Sequence, residues 1–470
     1  MSTDRTRRSG ARRRRSRAFA VRFAGVLGIL AVLGAAGAAV SVAQGPRVTA
    51  VRVDPAAAIA ASGSRMIITT TQSLQQITPE QVTVTPAAGF AVDTSGRSVG
   101  IRFALPLWDE TEYTVTITGV TGIGGGPEAT IEESFTTPGL EVFLLKRSAE
   151  GDTIFRTDLV GDAARPIFSH EHIEDFRATS SHLVVSTVDG DGFSHLIVTD
   201  LDGTNERDLP LPGDGVVSNL QGAERGDLIG YTFTDAEIDA DSGRESALFT
   251  ASPNQAQADQ QPTAIERPGG DSRVDDWRFV PGTDSIVMLT FDGALTLASP
   301  AGGDPVALGN AFTIEGIARG STLAVVQRAD GPVAIDLATA EETPLPATDP
   351  GLGQLNAITP LSSGSTLRVL AQLTGFTVTS TSVDVVDAAG LARSVFAVDP
   401  ADTLIETCVA PSGRYAAFLI APDVISNPYD GYLLPLPARV ETHVVALEDG
   451  TEIVALSGFD ISWCQTPSRG

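Results

Sequence analysis

The segment Ile405-Glu406-Thr407-Cys408-Val409-Ala410-Pro411-Ser412-Gly413-Arg414-Tyr415-Ala416-Ala417-Phe418 carries the pattern on which the fold turns. An apolar residue and an acid open a short strand, a Pro-Ser-Gly turn reverses it, and an apolar strand returns. The same order recurs at Ile173-Glu174-Asp175-Phe176, which leads to Leu183-Val184-Val185-Ser186. Val274-Asp275-Asp276-Trp277 leads through Pro281-Gly282 to Ile286-Val287-Met288-Leu289. Ile314-Glu315-Gly316-Ile317 and Leu355-Asn356-Ala357-Ile358 open two further copies, and a weaker one starts near Val216. Second halves repeat too, as a strand ending in an acidic turn: Leu196-Ile197-Val198-Thr199-Asp200-Leu201-Asp202-Gly203 and Val444-Val445-Ala446-Leu447-Glu448-Asp449-Gly450. Repeat starts fall about 40 to 58 residues apart, the spacing of four-stranded propeller blades.

Both ends of this region are incomplete. Residues 459–464 read as one more opening strand with nothing after it, and 141–168 as a blade lacking its opening strand. Joined, they close a ring of six complete repeats and one split blade. The expectation for 140–470 is therefore a β-propeller of about seven blades, with six as the alternative. The Ala410-Pro411-Ser412-Gly413-Arg414-Tyr415 and Leu201-Asp202-Gly203 elements resemble those of TolB-like and WD40-like periplasmic propellers. These carry a similar Pro-x-Gly turn before the second strand and an Asp-Gly turn before the last. The resemblance implies protein partners.

Upstream, 47–138 alternates strand and turn. Val48-Thr49-Ala50-Val51-Arg52-Val53 stops at Asp54-Pro55, Met66-Ile67-Ile68-Thr69-Thr70-Thr71 follows, and Val82-Thr83-Val84-Thr85 ends at Pro86. Six or seven such strands in about 90 residues suggest a β-sandwich. The opening Val48-Thr49-Ala50-Val51 with Asp54-Pro55, the run Thr111-Glu112-Tyr113-Thr114-Val115-Thr116 and the closing Glu133-Ser134-Phe135-Thr136-Thr137-Pro138 resemble the SbsA Ig-like domains of bacterial surface-layer and envelope proteins. That resemblance implies a spacer or adhesion module. The fold class expected for the chain is all-β: an Ig-like β-sandwich plus a propeller, behind one N-terminal transmembrane helix.

The helix is read from the first residues. Nine arginines in 1–22 face one acid, Asp4, and 23–43 is uncharged. That run suffices for a helix across the hydrocarbon core, which needs about 20 residues. Arginines stay cytoplasmic, so 1–22 is expected as a basic cytosolic head, 23–43 as a single-pass anchor in the cell membrane, and the rest as extracytoplasmic. Ser41-Val42-Ala43 offers small residues for a signal peptidase, but the apolar run exceeds a usual signal h-region, favouring an uncleaved anchor. With so much of the basic charge in the head, the exported part is more acidic than the net charge of −26 suggests. Such a surface repels nucleic acid and favours cations and basic partners.

Cys408 and Cys464 are the two cysteines, both in the exported part, where disulfides persist. They fall at nearly the same place of two opening strands that would be neighbours, so a Cys408–Cys464 disulfide locking the ring is expected, with two separate buried thiols as the alternative. Glu174, Asp275, Glu315 and Glu406 fall near the same point of successive repeats and would ring one channel mouth. They offer Ca²⁺ or a cationic group a site, unless each caps a turn or pairs with an arginine. His170, His172 and Glu174 share one side of an extended segment, a candidate Zn²⁺ set against the alternative of solvated loop residues. No cofactor beyond these two ions is expected. Gly-x-Ser-x-Gly, HExxH, P-loop and GxGxxG motifs are absent. The function favoured is a membrane-anchored binding or scaffold protein whose propeller recognises an envelope protein or cell-wall polymer. The alternative is a propeller hydrolase or lyase with a metal at the channel mouth.

Overall fold

The computed structural model describes residues 19–34 and 44–468, apart from 162, 225–226, 240–241, 258–259 and 268. Residues 19–34 are helical, and no helix among the described residues is long and apolar enough to cross a membrane. The first 18 residues of the basic head, and positions 35–43 of the expected span, lie outside the described residues. The chain divides into two compact units. One comprises Met1–Pro55, Ser64–Ala104 and Glu112–Thr136; the other comprises Ala56–Gly63, Leu105–Thr111 and Thr137–Gly470. The second unit thus takes in two segments of the region read as a single sandwich.

The first unit holds two antiparallel sheets. Val48–Arg52, Arg65–Thr70, Ser98–Phe103 and Phe90–Ser95 form one in that order; Val82–Thr85, Glu112–Val120 and Ala129–Thr136 form the other. Alternation explains the inward faces: Tyr113, Val115 and Ile117 are buried, while Thr114 and Thr116 between them are not. The sheets meet at Phe103 and Phe135, whose ring centroids are 6.2 Å apart, and Tyr113 lies 5.9 Å from Phe135. Burying each such side chain stabilises the fold by about 1.5–3 kcal/mol.

The second unit contains seven consecutive antiparallel sheets among its described residues, over 141–170, 173–209, 215–264, 274–310, 313–344, 354–398 and 403–457. Six have four strands in chain order; the first has three. First strands touch one another in succession, from Ile173–Ala178 to Gly215–Gly222, Val274–Phe279, Thr313–Ile317, Gln354–Pro360 and Thr403–Val409. The unit is therefore all-β and propeller-like. Its core is distributed between neighbouring sheets: one apolar cluster joins Val184, Leu196 and Tyr231, and another joins Val369, Val383 and Phe418. Middle strands are covered on both faces, which is why Ile286–Thr290 is an unbroken buried run. Sheets also approach closely at turns. A Cβ at Gly203, which has φ +81°, would stand 2.0 Å from the Ile167 carbonyl oxygen, so the Asp-Gly turn needs its glycine.

The split first sheet is completed from the other end of the chain. Leu145 and Phe459 exchange two backbone hydrogen bonds, each 2.9 Å. Ser462 adds two more to Phe143, donating its N–H at 3.0 Å and accepting the Phe143 N–H on Oγ at 3.1 Å. Cys408 and Cys464 are bonded, with their Cα atoms 5.5 Å apart.

The opening strands share one irregularity. Their registers shift between Ile173 and Asp175, Val274 and Asp276, Ile314 and Gly316, Leu355 and Ala357, and Leu404 and Glu406. Glu174, Asp275 and Glu315 are the extra, bulged residues, whereas Glu406 follows a bulge at Ile405. Glu406 thus matches Asp175 and Asp276, one place on from the other three acids.

The disulfide closes a 56-residue separation, so removing it should cost about 2–4 kcal/mol. The urea midpoints of oxidised protein and the Cys408→Ser/Cys464→Ser double variant measure this. Equal midpoints would mean that the strand pairing alone holds the ring.

Candidate functional site

The histidine–acid set is engaged in holding a loop. The connection over 422–440 in the last sheet reaches the first two sheets, and Glu174 receives it by accepting the Leu433 and Leu434 N–H groups at 2.9 and 3.0 Å. His172 Nε2 lies 2.6 Å from Glu174, its ring is 4.1 Å from that of Tyr432, and its N–H donates to His170 Nδ1 at 3.2 Å. The Tyr432 hydroxyl donates to Asp152 at 2.8 Å, and burial, then this carboxylate, push the phenol well above its ordinary range. Arg147 lies between the rings of Tyr432 and Phe459, at 3.8 and 4.9 Å, and pairs with Asp430 at 2.8 Å. These are charge-assisted contacts with little exposure, and together they clasp the loop.

The other acids do not converge with this group. Asp275 is exposed. Glu315 accepts from Thr313 Oγ1 at 2.7 Å and from the Ile358 N–H at 3.0 Å. Glu406 belongs to a separate cluster deep among the first strands. Among the described residues, no three His, Cys, Asp or Glu side chains are placed to hold a metal ion.

That deeper cluster contains Asp175, Arg177, Glu406 and Asp460. Arg177 Nη1 donates to Asp175 at 2.7 Å and lies 3.9 Å from Asp460. The end of the described chain covers the acids: Ser468 donates its N–H to Asp460 at 2.9 Å and its hydroxyl to Glu406 at 2.5 Å. Ser468 is only 4 % exposed, and beside this cluster a cavity of about 100 Å³ is lined by Arg278, Glu315, Thr359, Thr407 and Gln465. Burial, reinforced by Asp460, pushes the Glu406 carboxyl up to about 7. Burial raises Asp175 well above the ordinary carboxylate range, with Arg177 opposing and Asp460 adding to the shift. Asp175 escaped the sequence reading because the bulge had not been counted; aligning the repeats on Asp175, Asp276 and Glu406 would have found it.

The outer loops show a different pattern. In an antiparallel meander, second-to-third connections and links to the next sheet lie at one end, and the remaining turns at the other. Ile238, Phe291, Phe376, Ile425, Tyr429 and Leu433 are exposed, and all sit on second-to-third connections. Phe376 and Ile425 are 104 % and 97 % exposed. Phe312, exposed on a link between sheets, joins them at the same end. The opposite end carries Val160 and Leu391, with Val306, Leu323 and Ile453 at the starts of strands there.

No family model matches the chain. No curated protein matches it either. Solved structures do. A putative TolB from Agrobacterium tumefaciens is 13% identical, covering 68% of this chain and 90% of its own at a TM-score of 0.35. The Cps50 (Swd1) β-propeller domain of Myceliophteria thermophila is 13% identical, with 59% and 94% covered and a TM-score of 0.36. A dihydro-haem d1 dehydrogenase is 13% identical, with 68% and 74% covered and a TM-score of 0.40. The neighbours are propeller-like, and at these scores they add nothing to what the sheet order shows.

Two outcomes follow from the clusters. Glu406 has a folded value of about 7 against an ordinary 4.5, so between these values the folded chain keeps a proton that the unfolded chain releases. Its stabilisation is complete below about pH 4.5 and is lost as pH rises to about 7. Glu406→Gln should flatten the fall in urea midpoint over this window, and an unchanged slope would show that Glu406 does not hold the proton. In the clasp, Glu174→Gln should raise hydrogen exchange at Leu433 and Leu434 by about tenfold, as a charge-assisted contact of ~1.5 kcal/mol is lost. Exchange that stays as slow as before would assign the loop's order to Arg147 and Tyr432 alone.

Proposed function

We propose that the chain is a membrane-anchored, extracytoplasmic binding protein. In this reading 1–22 is cytoplasmic, 23–43 crosses the cell membrane, and the first unit is an Ig-like spacer. The second unit is a seven-bladed propeller that recognises an envelope protein. The observation that carries the binding function is the enrichment of exposed apolar side chains, Phe376 and Ile425 foremost, at one end of the sheets. Scattered exposed apolar residues are ordinary, but a set gathered on projecting loops of one face marks an interaction surface. Aliphatic Ile238, Ile425 and Leu433 suit a protein better than a wall polymer. The hydrolase alternative calls for an open pocket with converging His and carboxylates. Instead, His172 is tied to Glu174 and Tyr432, Glu406 is tied to Ser468, and the cavity of about 100 Å³ among the first strands is lined by one carboxylate, Glu315, and no histidine.

The test is crosslinking in living cells with a membrane-impermeant reagent coupled to single cysteines at 238, 376 or 425, with cysteines at 160 and 391 as controls. Adducts to a protein are expected from the first three positions only. Equal adducts from both ends would sink the face assignment. No labelling at any position would sink the extracytoplasmic location.

A further inference from the structure

The apolar loops are not equally prominent. The sixth sheet's hairpin, Thr366–Thr374 with Thr377–Val386, has the longest strands of the second unit, and its tip exposes Leu373, Phe376 and Val378. The neighbouring seventh sheet carries the clasped 422–440 loop, exposing Ile425, Tyr429 and Leu433. The two sheets share one apolar cluster, and Phe396 stacks on Phe418 at 4.7 Å. The start of the 422–440 loop is tied to the link from the sixth sheet, the Val424 N–H donating to the Ala401 carbonyl at 3.2 Å and the Asp423 N–H to the Asp402 carboxylate at 2.9 Å, which sets Ile425 on the side of the sixth sheet.

The 422–440 loop is fixed at its base as well as by the clasp. Asn427 donates to the Pro422 and Arg439 carbonyls at 3.2 and 2.7 Å and accepts the Arg439 N–H at 2.9 Å. Its apolar residues are thus presented on an ordered frame, and a partner that binds them avoids much of the cost of ordering a loop. The flank is acidic. Asp399 and Asp402 lie on the link between the two sheets, and Asp423 and Asp430 lie on the loop. Of the bases at this end, Arg147 pairs with Asp430, and Arg439 at the foot of the loop is exposed and donates to Ser426 Oγ at 3.4 Å, one cation beside Asp399, Asp402 and Asp423.

Building on the protein-binding reading above, we propose that the paired projections of the sixth and seventh sheets are the docking centre. Their occupant is a protein segment that presents apolar side chains flanked by lysine or arginine. The apolar residues supply contact area, and the acidic rim selects the charge and hastens encounter.

The experiment uses the full chain in lipid nanodiscs and two synthetic amphipathic peptides with identical leucine and phenylalanine positions, one bearing lysines and the other glutamates. Anisotropy titrations compare the wild type, the Phe376→Ser/Ile425→Ser variant and the opposite-end control Leu391→Ser. The lysine peptide should bind, weaken at least tenfold in the double variant and with added salt, and be unaffected by Leu391→Ser. Equal binding of the glutamate peptide, lost in the double variant, would overturn the partner's charge and leave the face reading standing. Equal binding of the lysine peptide to all three proteins would overturn the docking centre, as would no binding of either peptide. Dimerisation of the wild type that the double variant abolishes would make the occupant a second copy and overturn the proposal. The crosslinks at positions 238, 376 and 425 judge the broader reading independently.

Discussion

In this chain the succession of sheets finishes beside the sheet that began it, through the pairing of Phe459 with Leu145. The constraint falls on Leu145. The first sheet has three strands, so without a partner the inner edge of Glu141–Lys146 would leave peptide groups unpaired, at a cost comparable to a lost hydrogen bond each. Phe459, from more than 300 residues further on, fills that edge. Such a distant pairing meets the full entropy of closing a long loop, which grows slowly with length but must be offset by contacts made only when the ring is shut. The reinforcements gather here accordingly. Ser462 pairs with Phe143, Cys464 is bonded to Cys408, and the 422–440 loop brings Tyr432 over Arg147, whose other face meets Phe459.

The same closure explains what the charged residues do. Glu174 and His172 seemed available for chemistry, but they are the receiving side of the clasp. Buried Asp175, Arg177 and Asp460 and half-buried Glu406 set one guanidinium among three carboxyls, and Ser468 donates to two of the acids. Removing one partner of such a buried pair leaves an uncompensated charge and costs about 3–5 kcal/mol. Raised carboxyl values relieve part of the problem by letting protons replace missing cations. The clasp and the Ser468 contacts thus engage Glu174, Glu406 and Asp460, whereas Asp175 Oδ2 and Arg177 Nε and Nη2 are buried without a hydrogen-bond partner.

The repeat was legible because its signals are local: an apolar run, a Pro-Ser-Gly or Asp-Gly turn, and a second apolar run recur within each sheet. Even the split blade could be read from its missing and surplus strands. The acid ring could not, because a bulge adds one residue to each opening strand without changing its composition. Counting residues from the strand start aligned Glu406 with Glu174, whereas hydrogen-bond register aligns it with Asp175. The clasp was equally hidden, since Glu174 and Leu434 lie 260 positions apart and nothing in either local sequence refers to the other. The assignment of Ala56–Gly63 and Leu105–Thr111 to the second unit follows from tertiary contacts that strand periodicity does not encode.

Exposed phenylalanine and isoleucine on projecting loops would ordinarily invite copies of one chain to associate. A net charge of −26 changes that balance, because like-charged surfaces repel before apolar loops can meet. The repulsion vanishes for a partner of opposite charge. A single property of the sequence thus keeps the protein apart from itself and, under the proposal of a basic partner, would hasten that encounter. The acidity of the flank and the exposure of Phe376 and Ile425 are best understood together, since either alone would give a surface that is merely soluble or merely adhesive.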